Sequence, residues 1–157
     1  MEARWDLFTS PAGRSLRSHV ISAAKALASS KLPATIRELV SLRISQINGC
    51  GFCVDMHTKD ATARGEDPAR LHMVAVWREA TVFTDAERAA LELAEQGTRI
   101  ADAAGGVTDE VWQNAVKHFD EEQLVALLGL IAFMNAVNRL NVITRRPAGS
   151  YQPGQFD

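Results

Sequence analysis

Apolar residues recur at intervals of three and four along most of the chain, the period of helices laid against a core. Leu16, Val20, Ala23, Ala24 and Leu27 share one face of a helix predicted from Ser15 to about Ala28. Pro33 stands where a helix can begin, since the N–H it lacks would have no partner in a first turn. From it the stripe Ile36, Leu39, Val40, Ile44 and Ile47 runs to Asn48-Gly49, a pair that stops helices. A further helix starts near Cys50 and extends to about Arg64, ended by Gly65, and Asp67-Pro68 opens a short one through Leu71 and Val74. Thr84-Asp85-Ala86-Glu87 has the hydroxyl and carboxylate of a capping box and predicts a helix to about Ala101, with Ala89, Ala90, Leu93 and Ala94 packing closely. Gly105-Gly106 ends that region, and Thr108 caps a helix through Val111, Val116 and Phe119. Asp120 to Gln123 caps the last helix, which carries Leu124, Leu127, Leu128, Ile131, Met134 and Val137.

No segment alternates as a strand does. The expectation is an all-α fold of five to seven helices around one core, with residues 1–157 as a single domain. The last helix is apolar over much of its circumference, which predicts central burial or an interface between copies of the chain. Trp5, Trp77 and Trp112 read as packing residues.

Composition narrows the class without naming a chemistry. Of the 157 residues 46% are apolar and 23% charged, as in ordinary globular proteins. The 17 basic and 19 acidic residues are scattered, which argues against a nucleic-acid partner, and Arg145-Arg146 reads as a solvated helix end. No apolar run approaches the roughly 20 residues of a membrane span, so no membrane association is expected. The opening MEARWDLFTSPAGRS is charged and broken by Pro11 and Gly13, unlike a signal peptide, and the cytoplasm is the expected compartment.

The chemistry lies in Cys50-Gly51-Phe52-Cys53-Val54-Asp55-Met56-His57, which holds both cysteines of the chain. At about 100° per residue, a helix brings Cys50, Cys53 and His57 within an arc of roughly 60°. One turn between the thiols suits the Cα separation of about 4.4–6.8 Å that a disulfide requires. The start of a helix favours thiolate over thiol, which on its own points to Cys50 as the attacking sulfur. His57, four residues after Cys53, is placed to take or shuttle its proton. If the helices on either side of Gly49 fold back on each other, Glu38 comes within a turn of His57 and fixes its imidazole.

Zinc is the rival reading, with Cys50, Cys53 and His57 as three ligands. No second cysteine pair completes such a site, and His19, His72 and His118 fall in no ligand pattern. A redox site with no metal or cofactor is the favoured reading. Beside it stands a thiol–disulfide oxidoreductase or redox sensor that exchanges with protein partners.

Glu38, eleven intervening residues, Cys50-x-x-Cys53, three more and His57 resemble the signature of the alkylhydroperoxidase D-like group of the carboxymuconolactone decarboxylase superfamily. Ala75 to Glu79, Phe83 to Leu91, Phe119 to Leu124 and Asn135 to Leu140 are similar to its small single-domain members, so the likeness runs from about Ser15 to Arg146. The resemblance implies an all-helical protein that assembles as a homotrimer or homohexamer and reduces hydroperoxides, recycled by an external thiol reductant. It implies Cys53 as the peroxidatic thiolate, Cys50 as proton donor and resolving thiol, and Glu38 and His57 as the proton relay. Phe52 departs from the pattern, since the best-known peroxidases of the group carry histidine between the cysteines.

Overall fold

The structure is a computed structural model that describes residues 2–103 and 105–156. Its α-helices are α1 (Arg14–Ala28), α2 (Ala34–Ile47), α3 (Gly51–Ala63), α4 (Pro68–Met73), α5 (Asp85–Thr98), α6 (Asp109–His118) and α7 (Glu121–Thr144). Among the described residues there is no strand, and the all-α expectation of five to seven helices holds.

Side-chain caps set four of the starts. Asp67, Thr84, Thr108 and Asp120 accept from the backbone N–H of Ala69, Glu87, Val111 and Gln123. Two are full capping boxes, Thr84 with Glu87 and Asp120 with Gln123, in which two otherwise orphaned N–H groups are satisfied reciprocally. Helix α5 stops at Thr98 rather than near Ala101.

Helix α2 is central and packs against α3, α5 and α7. On one side its Ile36, Val40 and Ile44 join Ala90, Leu93, Val111, Leu127 and Met134 in the larger apolar cluster, which also takes in both cysteines. On the other side Leu39 and Leu42 meet Leu71, Val74, Trp77, Phe83 and Leu91. Gly97 lets α5 approach α7 closely, because a Cβ there would lie 3.2 Å from Ile131 Cγ2.

Three readings of the sequence need correction. Of the apolar stripe of α1 only Leu27, half-buried, packs against the core, and no residue of that helix is fully buried. Trp77 is buried, but Trp5 is 55% exposed and Trp112 36%, so neither is a core residue of this chain. Helix α7 is, by length and composition, long and apolar enough to cross a membrane. Here it runs along the bundle and buries Ala126, Leu127, Leu130, Ile131 and Met134, together with Asn138 and Asn141.

After α7 the chain turns through Arg145, in the left-handed region at φ 55°, and folds back over α3. Asp55, Lys59 and Asp60, all on α3, hold this tail. Asp55 accepts from Gly149 N at 2.7 Å, and Lys59 Nζ donates to the carbonyls of Gly149 (3.1 Å) and Tyr151 (3.0 Å). Buried Asp60 accepts from the Tyr151 hydroxyl at 2.9 Å and from Gly154 N at 3.0 Å. A hydrogen bond to a charged group is worth about 1.5–3 kcal/mol. Tyr151→Phe is therefore expected to destabilise the protein by about that much, read as a lower urea midpoint at unchanged slope; an unmoved midpoint would show the tail adds nothing to stability.

Candidate active site

Helix α2 ends in a Schellman motif. Gly49, at φ 67°, gives its N–H to Gln46 O at 3.3 Å, and Cys50 gives its N–H to Ser45 O at 2.9 Å. Gly49 is the residue type this conformation favours, having no Cβ to clash. The carbonyl of Cys50 then accepts Val54 N at 3.0 Å, so the same residue closes α2 and is the N-cap of α3. Cys53 follows as the third residue of α3. Cys50 therefore lies at the helix entrance rather than inside its first turn.

Both cysteines are free thiols, each 1% exposed. Cys50 is drawn below the usual thiol range chiefly by the S–H of Cys53, against the cost of burial, with help from the Cys53 backbone N–H and the amides of Asn141 and Asn138. Cys53 is pushed up, chiefly by lending its S–H to Cys50, then by burial and by the charge on Cys50. The two shifts run in opposite directions because one thiol donates to the other, so loss of the first proton from the pair is favoured and loss of the second is opposed.

The turn at Gly49 brings the other expected residues together. His57 Nδ1 lies 2.8 Å from Glu38 Oε2, and Arg64 Nη1 donates to Glu38 Oε1 at 2.6 Å. Burial would raise the Glu38 carboxyl, but the hydrogen bond and charge of His57, then Arg64 and Arg37, hold it below its ordinary value. An ionised Glu38 fixes Nδ1 as the protonated nitrogen. The opposite nitrogen, Nε2, is buried and has no hydrogen-bond partner among the described residues. The i to i+4 spacing of Cys53 and His57 gives no hydrogen bond between them at rest. Arg43 is not part of the site, since it pairs with Glu95 at 2.8 Å. Among the described residues no three His, Cys, Asp or Glu side chains gather as a metal site.

A model of the carboxymuconolactone decarboxylase family matches residues 17–96. The chain belongs to that family. It is 40% identical over 121 residues to the uncharacterised protein YdfG of Bacillus subtilis, covering 77% of this chain and 81% of that one. The crystal structure of a protein of unknown function from Agrobacterium tumefaciens, provisionally labelled as the antioxidant defence protein AhpD, superposes with a TM-score of 0.87 at 32% identity, over 96% of this chain and all of that one. The debrominase Bmp8 shares the fold at a TM-score of 0.75 and 18% identity, over 87% of this chain and 72% of that one.

Three residues at the thiols escaped the reading of the sequence. Asn141 Nδ2 donates to Cys53 Sγ at 3.2 Å, and its Oδ1 is buried without a partner. Asn138, fully buried, donates to Ser45 Oγ at 3.2 Å and accepts from Asn48 Nδ2 at 3.0 Å. The signal was present as Asn135-x-x-Asn138-x-x-Asn141, amides at steps of three on an otherwise apolar helix. Arg146, expected in solvent, lies over the Phe52 ring with its guanidinium carbon 3.7 Å from the centroid. A cavity of about 210 Å³ opens there, walled by Trp5, Phe8, Phe52, Arg146 and Tyr151.

A thiol pair that readily gives up one proton should react at lower pH than a free cysteine, whose pKa is about 8.5. Alkylation of the reduced protein, followed against pH by intact mass, is expected to reach half its maximal rate well below that value. A half-point at or above it would contradict the charge shared between Cys50 and Cys53.

Proposed function

We propose that this protein is a thiol peroxidase that reduces hydroperoxides through Cys50 and Cys53 and is recycled by an external thiol reductant. One observation carries the reading: two buried free thiols where α2 turns into α3, with the hydrogen-bonded His57–Glu38 pair one helical turn further along α3. The AhpD label of a 32% identical structure and the CxxC signature support it.

The chemistry balances with these groups. A thiolate attacks the distal oxygen of ROOH, the O–O bond breaks, and sulfenic acid forms as the alkoxide leaves. The alkoxide takes a proton from the His57–Glu38 pair or the second thiol and departs as alcohol. Two protons are available, the attacking thiol's own, received by His57, and the second thiol's; one goes to the alkoxide, and as the second sulfur displaces hydroxide from the sulfenic acid the other converts it to water and the Cys50–Cys53 disulfide closes. Two thiols are oxidised and one peroxide is reduced.

Electrostatics rest the charge on Cys50, whereas the family resemblance makes Cys53 the attacking sulfur. Passage of the Cys53 proton to Cys50 satisfies both. It leaves Cys53 as a thiolate that Asn141 contacts, and Cys50 as a neutral thiol ready to resolve.

One equivalent of cumene hydroperoxide is expected to convert the reduced protein to the Cys50–Cys53 disulfide, seen as a loss of two mass units. Sulfenic acid should be trapped at Cys53 in Cys50→Ser faster than at Cys50 in Cys53→Ser. The reverse order would make Cys50 the nucleophile, and thiols that stay reduced would sink the peroxidase. Glu38→Gln should slow turnover by about 10²-fold or more, the scale of a positioned acid–base group; full activity in that variant would remove the relay.

The exposed stripe of α1, together with Val125 and Ile143 of α7 (65% and 64% exposed), supports assembly with further copies of the chain. Sedimentation equilibrium is expected to return a trimer or hexamer. A monomer at micromolar concentration would rule that out.

A further inference from the structure

We infer that Asn141 is a further catalytic residue of this site, its amide N–H holding the Cys53 thiolate and its unpaired Oδ1 receiving the O–H of the incoming hydroperoxide. The inference rests on the peroxidase reading and adds to it the group that recognises the reacting end of the substrate.

The argument starts from cost. Asn141 is 2% exposed on a helix whose other buried residues are mostly apolar. An asparagine there must satisfy its amide or be costly to bury. Its Nδ2 is satisfied by Cys53 Sγ at 3.2 Å, a bond that strengthens when the sulfur carries a full negative charge. Its Oδ1 is satisfied by nothing among the described residues. The neighbouring Asn138 shows the contrast, because its amide is used on both sides, by Ser45 and by Asn48.

A second buried orphan, His57 Nε2, lies on α3 one turn after Cys53. A hydroperoxide presents one O–H donor at the oxygen to be attacked and an oxygen that must gain a proton as it leaves. An acceptor whose own amide touches Cys53, and an imidazole nitrogen one helical turn along from that residue, answer those two demands. Asn141 Oδ1 cannot supply a proton, so it orients the terminal oxygen, while proton delivery stays with His57 or the second thiol. Apolar helix packing alone would have put leucine or methionine at this position.

The test separates the two ends of the amide. In Cys50→Ser protein, which leaves Cys53 as the reactive sulfur, iodoacetamide alkylation is followed against pH, and the rate with cumene hydroperoxide is measured beside it. Asn141→Asp keeps the oxygen and loses the N–H donor. It is expected to move the alkylation half-point to higher pH and to slow alkylation at pH 7 at least tenfold, with the ratio of peroxide to alkylation rates held. Asn141→Ala loses both ends and should also lower that ratio about tenfold. Asn141→Ser, which restores a small polar group, should recover part of each loss and serves where melting curves show aspartate to be destabilising.

An alkylation profile unchanged in all three variants overturns the thiolate hold, and an unchanged ratio in Asn141→Ala overturns the substrate contact, even with wild-type peroxidase activity intact. A wild-type protein that alkylates readily but ignores hydroperoxides removes the proposed function and the Oδ1 role together, while a shift to higher pH in the uncharged Asn141→Ala variant would still support the hold on Cys53.

Discussion

Cys50 gives its N–H to the last turn of α2 and its carbonyl to the first turn of α3, and the site depends on that double engagement. The peptide groups of one residue close one helix and open the next, so the reversal takes little more than Asn48 and Gly49. Its side chain is left at a helix entrance, where positive potential favours a thiolate. The same reversal sets the register of α2 against α3 and carries Glu38 to His57, nineteen positions apart in sequence. A longer loop would leave Cys50, Cys53 and His57 together along α3 but separate Glu38 from His57. Substituting Gly49 would strain a backbone at φ 67° that supports both halves of the site.

Helix α7 closes the site from the far side with a conflict that is resolved locally. Its composition is that of a helix hidden from water, yet Asn135, Asn138 and Asn141 interrupt it at every third position. Asn135 reaches Thr98 and accepts from Asn48, Asn138 reaches Ser45, and Asn141 reaches Cys53. The row therefore clamps the α2–α3 turn, binding Asn48 and Ser45 around the residue that caps α3. Buried amides of this kind contribute little net stability but fix a unique arrangement, because any slip of α7 leaves several of them unpaired.

The fold and the core of the site were legible because they are local. Caps at Thr84 and Asp120, the stop at Asn48-Gly49 and the CxxC spacing are written in a few consecutive residues each, and Glu38 followed from folding two adjacent helices together. What the chain conceals is contact across long separations. Asn141 meets Cys53 over 88 positions, and the row of amides that marks Asn141 in the sequence does not say which residue it meets. The α1 stripe misled for a related reason: periodicity reports an apolar face without saying which surface covers it. Trp5 and Trp112, read as packing residues, are exposed, because a large aromatic in the sequence does not say which surface it packs against.

Arg146 bears on the one departure from the pattern of the best-known peroxidases, Phe52 between the cysteines. A histidine there offers a titratable, partly positive group beside the thiols. Phe52 offers none, but its ring supports the Arg146 guanidinium, and the Phe8 and Phe156 rings lie 5.1 and 5.4 Å from the same carbon. Burial lowers the affinity of Arg146 for its proton, while Asp6, Cys53 and Cys50 act in the opposite direction, so its charge is felt at both sulfurs. The guanidinium remains charged across the working pH range. A charge that titrates with the imidazole is thus replaced by one that does not, delivered from the end of α7 rather than from α3. The wall of the adjoining cavity is aromatic and cationic there.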